Sequence, residues 1–127
     1  MERSSRDAPP SGYDGDFAHA VELFNAGRYF ESHEVWEGLW LRADGAEKLF
    51  LQGLIQAAAA MLHLERGNLP GARSLQRKAQ ARLEAVPAEF MDLAVSEFRH
   101  ALTNFMLAAL DGSRTAAPPQ LRHFKSF

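Results

Sequence analysis

The feature that most restricts this chain is a 16-residue run without a formally charged residue, Leu49 to Leu64 (LFLQGLIQAAAAMLHL). It is apolar nearly all round, which a helix tolerates only when neighbours cover it on most sides. A membrane span needs about 20 mostly apolar residues. This run falls short and contains Gln52 and Gln56, so it reads as the central helix of a bundle. Segments able to cover it lie on both sides, each with helical spacing of its apolar residues. Phe17, Ala20, Val21 and Phe24 follow a capping Asp16, with Gly27 as the stop. A second helix starts near Tyr29 and runs to the Ala43-Asp44-Gly45 break. Glu65-Arg66-Gly67-Asn68 closes the central helix and starts the next, with Gly67 as terminator and Asn68 as N-cap.

A fourth helix is expected over about Pro70 to Ala85, with Ala72, Leu75, Ala79, Leu83 and Val86 as its stripe and Pro87 as its end. A fifth is expected from about Glu89 to Leu110, with Phe90, Ala94, Phe98, Leu102 and Phe105 inward and Gly112 as its stop. No strand pattern is evident. The expected fold is all-α, a compact bundle of about five helices built from helical hairpins. The expected division is 1–15 as a flexible Ser/Pro/Gly/Asp-rich tail, 16–112 as the bundle, and 113–127 as an extended tail. Leu121, Phe124 and Phe127 could dock that second tail onto the body.

Composition narrows the function classes. The formal net charge is -2, so the overall field offers nothing to nucleic acid. The absence of cysteine removes disulfides, thiolate nucleophiles and Cys-ligated zinc. The first residues lack the apolar core of a secretory signal. A cytoplasmic protein that binds neither nucleic acid nor membrane is expected. Nine Phe and two Trp exceed what five short helices can readily hide, so a homo-oligomer or an unidentified protein partner is expected.

The chemistry-bearing residues gather on two helices. On the wheel Trp36, Tyr29, Trp40, His33, Glu37, Phe30, Leu41 and Glu34 share an arc of about 160°, while Glu31, Ser32, Gly38 and Arg42 fall outside it. Gln52, Gln56 and His63 fall within about 40° of each other on the central helix. The candidate polar cluster is therefore His33, Glu34, Glu37, Gln52, Gln56 and His63, with Trp36 and Trp40 as supporting aromatics. Buried polar groups must satisfy one another or a ligand. One reading is a closed hydrogen-bond network that holds helix register. A second is a divalent-metal site: HEVWE places Glu37 where the zincin motif has its second histidine, and His33, Glu37 and His63 would be the ligands. A third is a metal-free pocket. No catalytic residue stands out. Helix four carries Arg73, Arg77, Lys78 and Arg82, read as a solvated surface.

The stretches FNAGRYFESHEVWEGLW and LQGLIQAAAAMLHLERGN, followed by PGA, closely resemble the bacterial and archaeal family called domain of unknown function family 309. The resemblance runs from about Phe17 to about Val86. It implies a compact helical bundle and carries over His33, Glu34, Glu37, Trp40, Gln52, Gly53, Gln56, His63, Gly67 and Asn68 as motif positions. It implies no activity. The leading functional expectation is a small interaction or structural module with a buried His/Glu/Gln network between helices two and three. The alternative is a metal-dependent, hydrolase-like enzyme using His33, Glu37 and His63.

Overall fold

A computed structural model describes residues 13–113 and 116–124. Five α-helices follow one another among the described residues: α1 (Tyr13–Asn25), α2 (Tyr29–Trp40), α3 (Gly45–Glu65), α4 (Leu69–Glu84) and α5 (Val95–Leu110). Short connections make the first four helices pack as successive hairpins, α1 on α2, α2 on α3 and α3 on α4, while α5 packs on α4 across a ten-residue link. Phe24 of α1 meets Phe98 of α5 with ring centroids 5.4 Å apart, which closes the bundle. None of these helices is long and apolar enough to cross a membrane. Most of the expected N-terminal tail lies outside the described residues. Helix α1 starts three residues before the expected cap, and both Asp14 and Asp16 fall in its first turn, where the positive end of the helix dipole favours them.

Helix α3 sits between α2 and α4. It buries Phe50, Leu51, Leu54, Ala57, Ala58, Ala60, Met61 and Leu64. Gly53 lets α4 approach closely: a Cβ there would lie 3.0 Å from Leu83 Cδ2 and 3.1 Å from Arg82 Cβ. The turn into α4 forms as its residue types require. Gly67 has φ 77, and Asn68 Oδ1 accepts from the Gly71 amide at 3.1 Å.

The expected fifth helix from Glu89 is corrected. Residues Glu89–Phe90 and Leu93–Ala94 form a two-residue antiparallel hairpin, and α5 begins only at Val95. Met91 and Asp92 bridge the strands with φ of 50° and 65°, the signature of a type I′ turn. Asp adopts this conformation readily, whereas Met gives no hint of it in sequence. The C-terminal segment braces the hairpin. Ala94 N donates to Arg122 O, Phe124 N donates to Asp92 O, and Leu93 bridges antiparallel to His123. The same segment pushes Leu121 into the core, where it is 2% exposed. Asn25 clamps it there: Nδ2 donates to Leu121 O at 2.9 Å and Oδ1 accepts from Leu121 N at 2.7 Å. Phe124 is exposed, and Phe127 lies outside the described residues.

Both tyrosines are held neutral. Burial first, then the Glu47 carboxylate, pushes Tyr13 up to about 12, and burial followed by the charge of Glu65 raises Tyr29. A raised pKa means that the unfolded chain ionises first, so this stabilisation is complete below a pH of about 10 and is lost as pH climbs through the folded values. Native protein at pH near 10 should therefore show little tyrosinate absorbance, and the signal should grow together with the loss of helical circular dichroism. Ionisation of either tyrosine near its ordinary pKa with the helices intact would contradict this packing.

Candidate functional site

Helix α2 is rotated from the expected arc. Its buried residues are Tyr29, Ser32, Trp36 and Leu39. Ser32, expected to face water, is fully buried, and its hydroxyl donates to Tyr29 O at 3.0 Å. A short hydroxyl that bonds its own helix can enter a core where a longer polar side chain would not. The face turned away from these residues carries Phe30, Glu34, Glu37 and Leu41, within about 60° of one another. All four are exposed, Phe30 by 54% and Leu41 by 73%.

The polar cluster consequently spreads out instead of closing. His33 Nδ1 stands 3.9 Å from Glu37 Oε1, beyond a hydrogen bond, and the Glu37 side chain is 56% exposed. Glu37 and Trp40 line a cavity of about 180 Å³ with Gln52 and Ile55. They also line a shallower one of about 390 Å³ with Glu34, Gly38 and Leu41. His63 is committed elsewhere: its Nδ1 pairs with Asn68 Nδ2 at 2.9 Å, latching the turn between α3 and α4. It lies seven residues beyond Gln56, about 10 Å along the axis of α3. Among the described residues no three His, Asp or Glu side chains are placed to hold a metal ion, so the expected set of His33, Glu37 and His63 does not assemble.

The closed-network expectation is corrected too. Among the described residues, His33 Nδ1, Trp36 Nε1, Trp40 Nε1 and Gln56 Oε1 are buried with no hydrogen-bond partner. Trp36 is fully enclosed and packs on Phe24 at 5.9 Å, while Lys48 Nζ sits 4.2 Å over the Trp40 ring. These two rings anchor α2, and the polar edge of each is unsatisfied. Such groups cost stability unless a partner meets them. The α2–α3 surface thus combines a carboxylate pair, exposed apolar side chains and unpaired polar atoms.

The satisfied polar network lies instead between α4 and α5. Gln76 is fully buried in the stripe of Ala72, Ala79 and Leu83. Arg73 Nη1 donates to Gln76 Oε1 at 2.7 Å, and Gln76 Nε2 donates to Gln80 Oε1 and Thr103 Oγ1, both at 3.0 Å. Thr103 Oγ1 donates to Gln80 Oε1, and Gln80 Nε2 donates to Glu84 Oε2 at 3.2 Å. Sequence reading missed this ladder. Its signal was present: Gln76 lies four residues after Ala72 and three before Ala79, on the apolar face of α4.

Residues 17–75 match the family model described as Domain of unknown function (DUF309). Over that segment the chain is similar to the DUF309 family. The DUF309 match covers α1 from Phe17, all of α2 and α3, and α4 as far as Leu75. It stops short of Val86, where the motif resemblance was expected to end. The hairpin, α5 and the docked C-terminal segment lie beyond it. No curated protein matches the chain.

Proposed function

We propose that this chain is a non-catalytic interaction module whose docking surface is the outward face of α2. The observation that carries this reading is the stripe Phe30, Glu34, Glu37 and Leu41, apolar at both ends and acidic between, on the face opposite the core. Side chains at this spacing form the contact face of a helix against a partner surface. A single exposed leucine needs no explanation, but a stripe about 16 Å long beside two cavities and unpaired tryptophan edges does. The complementary surface is apolar and edged with basic side chains, since like charges facing Glu34 and Glu37 would be repelled. A second copy of the chain offers one on α4–α5, where exposed Leu107 lines a cavity with Arg73 and Arg77.

Sedimentation velocity tests this directly. The wild-type chain should self-associate in the high micromolar range, and Leu41→Glu should weaken association about tenfold or more, worth about 1.4 kcal/mol or more, with helical content unchanged. Glu34→Lys combined with Glu37→Lys should weaken it as well. A wild-type chain that stays monomeric throughout that range would overturn self-association through α2.

A further inference from the structure

We propose that the open cavity between α4 and α5 is a binding site for a small oxyanion, a carboxylate or a phosphate, held by Arg73 and Arg77. The cavity has a volume of about 460 Å³ and is lined by Arg73, Arg77, Gln80, Glu84, Thr103 and Leu107.

The ladder described above gives the site its polarity. Every bond runs the same way: Arg73 donates to Gln76, Gln76 to Gln80 and Thr103, and Gln80 to Glu84. Glu84, the one carboxylate in the lining, lies at the far end, where Arg99 Nη1 also reaches it at 3.5 Å. It is eleven residues from Arg73 and seven from Arg77, about 16 and 10 Å along the helix. The Gln76 oxygen takes one Arg73 N–H and the Gln80 oxygen is taken by Gln76 and Thr103, so the remaining guanidinium donors at the Arg end of the cavity have no carboxylate to meet among the described residues.

Two further features point to an anion. Arg73 and Arg77 stand one helical turn apart, a spacing at which like charges repel. Neither has a carboxylate partner among the described residues. Arg73 is also pre-oriented, because the Gln76 carbonyl that fixes its Nη1 belongs to a fully buried side chain. A guanidinium held in place loses little freedom when it closes a bidentate contact with an oxyanion. Leu107 makes one wall apolar, which suits an anion carrying a short carbon skeleton. The proposal does not require docking through α2, and a second copy seated on α4–α5 would compete with the anion for Arg73 and Arg77.

The test is an NMR titration of the full chain at fixed ionic strength, with inorganic phosphate in one arm and succinate in the other. Leu41→Glu protein is titrated in parallel, so that self-association cannot mask the result. At least one arm should saturate, with shifts confined to residues around Arg73, Arg77, Gln80 and Thr103, and the tighter arm names the class of anion. Arg77→Gln should weaken binding about tenfold or more. Arg66→Gln, which removes the same charge from an exposed turn, should change it less than twofold. Shifts that fail to saturate in both arms, or equal binding by Arg77→Gln and wild type, would overturn the site.

Discussion

Replacing Phe24 by alanine should destabilise the protein by about 3–5 kcal/mol, the range for an aromatic truncated in a packed core. Phe24 is fully buried, and three rings surround it: Tyr29 at 5.0 Å, Trp36 at 5.9 Å and Phe98 at 5.4 Å. Those partners come from α2 and α5, so one side chain of α1 joins the start of the bundle to its end. Aromatic pairs at such separations add about 0.5–1.5 kcal/mol each beyond area burial. Domains of this size are stable by only about 5–15 kcal/mol, so the loss is a large fraction of the whole. Urea denaturation should show a lower midpoint with an unchanged slope. A cost below about 1 kcal/mol would mean that the neighbouring rings collapse into the space, and that Phe24 is not the joint between α1, α2 and α5.

The second large effect is expected at the C-terminal segment. Leu121→Ala should cost about 2–5 kcal/mol, because its side chain is enclosed by the core although it lies outside every helix. Asn25→Ala removes no core volume, yet it deprives both the N–H and the C=O of Leu121 of their partners. A buried group left unpaired costs about 1–3 kcal/mol, so a loss in that range is expected. The two variants should also share a local signature. Hydrogen exchange should accelerate at the Ala94 and Phe124 amides, which bond across the segment, while the amides of α3 keep their protection. If Asn25→Ala leaves exchange at Ala94 unchanged, the segment is held without Asn25 and this account of its anchoring fails.

How much of this was legible beforehand follows from the range of each interaction. The first four helices and their stops depend on neighbours three to five residues away, so Asn68 capping Gly71 and the apolar periodicities could be read directly. The hairpin at Glu89–Ala94 could not. Its apolar residues suit a helix as well as a strand, and the choice is made by the C-terminal segment, where Arg122 O accepts from Ala94 N and Phe124 N donates to Asp92 O across about thirty residues of chain.

The candidate site shows the same division. His33 and Glu37 on one helix and Gln52 and Gln56 on the next were visible as polar residues in apolar company, and Glu37 does share a cavity with Gln52. Whether they would close a network depended on the rotation of α2, about which its own periodicity was ambiguous. Two apolar arcs compete on that helix, one through Tyr29, Trp36 and Leu39 and one through Phe30 and Leu41. Packing against both α1 and α3 selects the first. It turns the second outward with Glu34 and Glu37, leaving the polar atoms of His33 and Gln56 unmatched. Local residue order thus determined which segments are helical and where they stop. Only the packed structure decided which face of each helix is buried, because burial is a property of the neighbours that cover a face and not of the face alone.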